Sequence, residues 1–118
     1  MKRTLFFLLL LVGIVATAQS QSDYYARKAQ GYQREAEYYQ RQADGYRRDA
    51  AYHLRKAEDY QREVAYYGRK NDVDRVKTYT RYAEDEIEKY ELKMRYAAEA
   101  DENAARYLRY AAEALERR

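Results

Sequence analysis

Seven arginines recur at every seventh position and form the most regular charged series in the chain. They are Arg27, Arg34, Arg41, Arg48, Arg55, Arg62 and Arg69. On an α-helix these residues would share one face at intervals of about 10 Å, a spacing suited to an acidic glycan or lipid. An acid stands four residues before four of them, which favours local ion pairs and a solvated face. We therefore treat the series as a candidate polyanion ladder, with an ordinary exposed face as the simpler interpretation.

Catalytic and metal-binding chemistry has little support in this sequence. His53 is the only histidine, there is no cysteine, and no phosphate-binding loop or metalloprotease motif is present. His53 occupies a position where the neighbouring heptads have tyrosine, so we interpret it as a substitute for a core aromatic residue. We expect no enzyme activity, no catalytic residues, no cofactor and no metal site.

A heptad pattern predicts the first helix. Alanines or valine recur every seven residues from Ala29 to Val64, and aromatic residues recur every seven residues from Tyr25 to Tyr67, with His53 among them. Small residues at one heptad position and aromatic residues three positions later form an apolar seam along a helix. The pattern predicts a helix over about residues 24–68.

A second helix must follow, because the first register fails after residue 68. Continuing it would place only charged residues at the tyrosine positions, whereas a new seam begins at Val73 and includes Thr80, Ala83, Ile87, Tyr90, Met94, Ala97, Asp101, Ala104, Leu108, Ala111 and Leu115. Gly68 can end a helix, and Asn71 or Asp72 can cap the next. We therefore predict an all-α fold, an antiparallel two-helix coiled-coil hairpin with helices at about 24–68 and 72–116. A turn centred on Lys70 pairs Ala29 with Ala111.

Tyrosines outside this seam form the candidate interaction face. They recur at 14-residue intervals and are Tyr24, Tyr38, Tyr52 and Tyr66 in the first helix and Tyr82, Tyr96 and Tyr110 in the second. One hairpin cannot bury all of them, so we expect hairpins to associate into a helical bundle or to bind another protein.

The first eighteen residues predict export. Lys2 and Arg3 precede the apolar run of residues 5–15, and Ala16 and Ala18 provide a signal-peptidase site. We expect a signal peptide over residues 1–18, a mature hairpin over residues 19–118, and a periplasmic or secreted protein without a membrane span. The signal holds two of the 23 basic and none of the 20 acidic residues, so the formal net charge falls from +3 to +1. Nucleic acid is therefore not an expected partner.

Three classes of function fit these features. The first is an exported coiled-coil protein that acts by self-assembly or protein binding, with itself or another protein as partner. In size and layout the chain also resembles small exported helical chaperones and hairpin adhesins, which makes a holdase-type chaperone or an adhesin the second class. The third is a binder of acidic glycan or lipid through the arginine and tyrosine ladders.

Overall fold

The computed structural model consists of two long helices that pack against each other as a hairpin. Helix α1 spans Lys2–Arg69 and helix α2 spans Val73–Glu116. The structure describes the backbone of residues 2–117 and the side chains of residues 21–117. No strand occurs among these residues, and no helix within them is long and apolar enough to cross a membrane. The predicted all-α hairpin is confirmed.

The start of α1 differs from the prediction. We expected a helix from about residue 24, whereas α1 begins at Lys2. Nothing between the apolar run and Asp23 interrupts a helix, because proline is absent from the chain and the segment is mostly alanine, glutamine and serine. The predicted cleavage after Ala18 lies outside the residues whose side chains are described, and it stays a prediction.

The turn between the helices is closed by Asn71. Its φ of 59° places it in the left-handed region, where asparagine is tolerated better than most residues. The Asp72 N–H donates to the Tyr67 carbonyl at 3.0 Å and the Asn71 N–H donates to the Gly68 carbonyl at 3.2 Å, as in a Schellman motif. Asn71 therefore ends α1, and the prediction that Gly68 does so was wrong.

Asp72 caps α2. Its carboxylate accepts from the Arg75 N–H at 3.3 Å, and its carbonyl accepts from the Val76 N–H at 3.1 Å. Replacing Asp72 by Ala leaves the first-turn donors of α2 without this acceptor, so we expect a loss of about 1 kcal/mol in the free energy of unfolding. Urea unfolding followed by circular dichroism measures this loss. Asp72→Asn is the control, because an amide oxygen still caps, and an equal loss in both variants would contradict the assignment.

Contacts within the chain divide it into two compact units. The turn unit contains Tyr39–Asn103, and the terminal unit contains Met1–Tyr38 with Ala104–Arg118. In both units, alanines spaced by seven along α1 are nearly inaccessible to solvent, from Ala29 to Ala57. The alanines of α2 predicted to face them, which are Ala83, Ala97, Ala104 and Ala111, are buried as well. The predicted alanine seam is confirmed on both helices.

The large residues of α2 are placed differently from the prediction. Met94, Leu108 and Leu115 are exposed, and Asp101 is exposed and bonded to Arg47. The buried or half-buried positions lie one residue earlier, at Tyr79, Glu86, Lys93, Ala100, Tyr107 and Ala114. The α1 tyrosines select this row because rings pack well on rings and on small alanines, which lets the helices approach closely. Of the predicted seam residues of α2, Thr80 and Ile87 are half-buried, whereas the prediction that Met94, Leu108 and Leu115 lie in the seam was wrong.

Candidate interaction surfaces and a buried charge cluster

Pairs of tyrosine rings join the two helices at a regular interval. In the turn unit, the Tyr46 and Tyr96 ring centroids are 5.4 Å apart, as are those of Tyr60 and Tyr82. In the terminal unit, the Tyr32 and Tyr110 centroids are 5.5 Å apart. Each pair is tilted, in the range of geometries that aromatic pairs favour. The 14-residue repeat seen in the sequence is thus a repeat of ring pairs between α1 and α2.

The predicted interaction tyrosines stay partly exposed despite these contacts. We call them the tyrosine face, which comprises Tyr24, Tyr38, Tyr52, Tyr66, Tyr82, Tyr96 and Tyr110. Their exposed fractions run from 37% at Tyr96 to 54% at Tyr24. The expectation that the three α2 members stand apart from the helix pair needs correction, because each packs one side of its ring on an α1 tyrosine. The other side remains available for a contact.

Lysines lie near the rings of three of the four α1 members of the tyrosine face. The ammonium of Lys28 lies 5.9 Å from the Tyr24 ring centroid, and that of Lys56 lies 5.4 Å from the Tyr52 centroid. Lys70 lies over Tyr66 at 4.4 Å. Residues four apart on a helix are neighbours, so each lysine can reach the ring one turn earlier. The tyrosine face therefore combines aromatic rings with positive charge.

A separate aliphatic face on α2 was missed by the sequence analysis, which placed its residues in the seam. In the turn unit it contains Thr80, Ile87 and Met94, and in the terminal unit Leu108 and Leu115 are exposed. In the turn unit, part of it borders a groove of about 520 Å³ whose lining includes Val64, Thr80, Ala83 and Ile87. The rim of this groove is acidic, with Glu84, Glu88 and Glu91. An apolar groove with carboxylates on its edge is suited to a basic amphipathic segment.

The arginine ladder lies on the outer side of α1, as predicted. All seven arginines are exposed, from Arg27 to Arg69. None of the four predicted ion pairs between residues four apart forms among the described side chains. Arg62 bonds instead to Asp59, three residues earlier, and Asp44 bonds at 3.1 Å to Arg47, which is outside the ladder. Such exposed pairs contribute little to stability, so the ladder is a solvated face in which Arg62 alone has an acidic partner among the described side chains.

The turn unit contains a buried charge cluster that the sequence analysis did not predict. Glu86 is only 4% exposed, and one of its carboxylate oxygens lies 2.6 Å from Nδ1 of His53. The other oxygen lies 3.5 Å from the ammonium of Lys56 and 3.4 Å from that of Lys89. His53 is therefore half of a polar pair between the helices, and our interpretation of it as a core aromatic substitute was incomplete.

The environment of Glu86 favours its charged form. Burial of the carboxyl group opposes ionisation, but the hydrogen bonds from His53 and Lys89 and the charges of Lys89 and Lys56 outweigh it. The pKa of Glu86 is consequently lowered from its ordinary value of 4.5. A carboxyl group whose pKa falls on folding stabilises the folded state at every pH above the unfolded pKa.

This lowered pKa predicts an acid-dependent loss of stability. The contribution of Glu86 is complete above about pH 5 and is lost as the pH falls through 4.5 towards the lower folded pKa. Thermal melts by circular dichroism between pH 6 and pH 3 should show this loss for the natural chain. In Glu86→Gln, which cannot titrate, the melting temperature should fall less steeply over that interval. Equal slopes in the two proteins would contradict the proposed environment of Glu86.

No other cluster suggests chemistry in the part of the chain with described side chains. Within it, no group of three or more histidine, aspartate or glutamate residues is arranged to hold a metal ion. Every buried side-chain nitrogen or oxygen in the same part has a hydrogen-bond partner.

Comparisons with known proteins add no functional assignment. No protein-family model matches this chain, and no match was found among curated proteins or among solved structures.

Proposed function

We propose that this chain is an exported, non-enzymatic coiled-coil protein that acts by self-association in the cell envelope or extracellular space. The observation that supports this most directly is the tyrosine face, whose seven rings remain between 37% and 54% exposed after the two helices have paired. Tyrosine combines a large apolar ring with a hydroxyl that tolerates water, which suits it to surfaces that are alternately free and covered. It is also among the residues that contribute most to the stability of protein interfaces.

The repeat of the tyrosine face favours a second copy of the same chain as partner. Exposed rings recur at 14-residue intervals on both helices, so another hairpin of the same period can match them along its length. The lysines over Tyr24, Tyr52 and Tyr66 add positive charge beside the rings. Acidic residues on the outside of a neighbouring hairpin would complement that charge.

Light scattering on the mature protein, residues 19–118, tests the proposal. Across a concentration series from micromolar to millimolar, we expect the mean mass to rise above that of one chain. A mass of one chain throughout the series would contradict self-association. The choice between periplasm and exterior rests on the predicted signal peptide and is tested by fractionating cells that produce the full-length protein.

A holdase-type chaperone or helical-hairpin adhesin is the second candidate, and the groove on the aliphatic face favours it. Its apolar lining and acidic rim could hold an amphipathic segment of an unfolded or foreign protein. Suppression of the aggregation of an unfolded client by the natural chain, and its loss in Ile87→Lys, would favour this candidate over self-assembly.

An acidic glycan or lipid remains the third candidate ligand, because the arginine ladder is exposed along α1. Binding of this kind should weaken steeply with salt, since the exposed charges are screened over about 10 Å at 0.1 M ionic strength. Retention on an anionic polysaccharide column that persists unchanged in high salt would contradict it.

A further inference from the structure

The 14-residue repeats of α1 and α2 each have one exception, and the two exceptional residues contact each other. Along α1, residues at 14-residue intervals are tyrosine, tyrosine, histidine and tyrosine at positions 25, 39, 53 and 67. Along α2, the matching interval places alanine at positions 114 and 100 but glutamate at 86. His53 and Glu86 are in contact at 2.6 Å. Thus α1 has histidine in place of the tyrosine of its repeat at the point where α2 has glutamate in place of the alanine of its repeat.

The repeats create a problem of register that this exchange can solve. Because alanines and tyrosines recur on both helices, sliding α2 by 14 residues again sets alanine on alanine and leaves aromatic rows beside each other. Apolar packing alone therefore discriminates weakly between the two registers. The short turn at Asn71 restrains sliding within one hairpin, but it does not restrain helices of two copies that meet during folding or assembly.

A slipped register would leave Glu86 in the wrong surroundings. Moving α2 by one repeat sets Glu86 against Tyr39 or Tyr67, so the carboxylate loses the imidazole that it contacts in the structure. Lys89 lies on the same helix as Glu86 and moves with it, which leaves His53 as the strongest contact that depends on register. A buried carboxylate without its partner is strongly unfavourable.

We propose that His53 and Glu86 form a register key, a polar pair that selects one alignment of α1 and α2 over alignments displaced by a repeat. A polar residue in an apolar helix seam can specify alignment at some cost in stability. The key acts by penalising wrong pairings more than by strengthening the right one. The register key acts on the pairing of α1 with α2 and is independent of the face that hairpins use to associate.

The test releases the restraint of the turn and then asks which register the helices choose. A flexible Gly/Ser segment of about twenty residues inserted between Lys70 and Asn71 spans the displacement needed for a slip of one repeat. One cysteine pair, Ala43→Cys with Ala97→Cys, reports the alignment of the structure. A second pair, Ala57→Cys with Ala97→Cys, reports the alignment displaced by one repeat. Disulfide formation requires the two Cα atoms to lie within about 7 Å, so each pair reads one register.

The decisive variant restores both repeats through His53→Tyr with Glu86→Ala. Because a buried ion pair can often be replaced by apolar residues without loss of stability, we expect its melting temperature to be kept or raised. The share of displaced crosslinks should nevertheless rise about tenfold relative to the chain with the key intact. An unchanged share would overturn the proposal, because His53 and Glu86 would then be a local polar contact with no influence on alignment.

The matched control removes an exposed ion pair between the helices in the turn unit. Arg47→Gln with Asp101→Ala breaks a 2.8 Å contact between exposed side chains, and water can satisfy both groups in either register. The displaced share should stay low in this control, and a rise equal to that of the key variant would also overturn the proposal. If the lengthened turn prevents folding, the test uses chains with the natural turn that each carry one of the cysteines. Two such chains are mixed and refolded, and the crosslinks between them report the same ratio of displaced to native alignment.

Discussion

Replacing Tyr82, Tyr96 and Tyr110 together by serine is expected to abolish self-association at micromolar concentration while leaving the hairpin folded. Each ring that becomes fully buried in an interface contributes about 1.5–3 kcal/mol through its apolar area. Each also loses its contact with an α1 tyrosine, at about 0.5–1.5 kcal/mol a pair. We therefore expect a moderate fall in melting temperature with a large fall in mass, measured by circular dichroism and light scattering on the same samples.

The control replaces two of the facing rings, Tyr32 and Tyr46, by serine. These residues are half-buried against α2, so their loss leaves gaps beside the alanine seam as well as unpaired rings. Per ring removed, helicity and melting temperature should fall more in this control than in the triple variant. If the triple variant melts as low as this control, the tyrosine face is part of the core. If its mass does not change, the face is not the assembly surface.

The seam of the first helix could be predicted closely from the sequence because almost every seam position holds the same residue type. Alanine recurs at every seventh residue, with Val64 as the exception, and tyrosine recurs three residues later, with His53 as the exception. Small side chains also indicate where the helices come closest. The burial of Ala29, Ala36, Ala43, Ala50 and Ala57 follows from this pattern alone.

The second helix could be predicted only in part because two rows border its alanines. Hydropathy favours the row with Ile87, Met94 and Leu108, whereas the structure leaves Met94 and Leu108 exposed and buries or half-buries the row one residue earlier. The choice depends on what lies opposite, since tyrosines on α1 pack on Tyr79, Tyr82 and other rings of α2. The residue pattern of α2 alone does not show which side chains of α1 it will face.

The burial of Glu86 could not be predicted from hydropathy. A glutamate in a polar stretch of helix is expected to be solvated, and burial of its carboxylate required His53 and two lysines nearby. The 14-residue phase links position 86 to Ala100 and Ala114, but the predicted seam did not include these two alanines, so their burial had to be seen before the phase could point to Glu86. The turn residue Asn71 was harder to choose, since Gly68 meets the same conformational requirement three residues earlier.

Replacing Ala43 by leucine is expected to lower stability more than any other single change considered for this hairpin. Ala43 is fully inaccessible to solvent in the turn unit, at a point where the two helices approach through alanines. Leucine there must push the helices apart or adopt a strained rotamer, at about 1–3 kcal/mol or more. For a domain of about 100 residues each kcal/mol shifts the melting temperature by about 4–8 °C, so a fall of roughly 10–20 °C should be seen by circular dichroism.

Ala98→Leu is the matched control, because it makes the same substitution at an exposed position of α2 in the same unit. Leucine and alanine are both good helix formers, so the free energy of unfolding should change by less than about 0.5 kcal/mol. The difference between the two variants isolates the cost of separating the helices from that of adding a large side chain. If both melt alike, the helices can part at little cost. The alanine seam would then be a feature of the sequence repeat and would not explain why α1 and α2 lie so close.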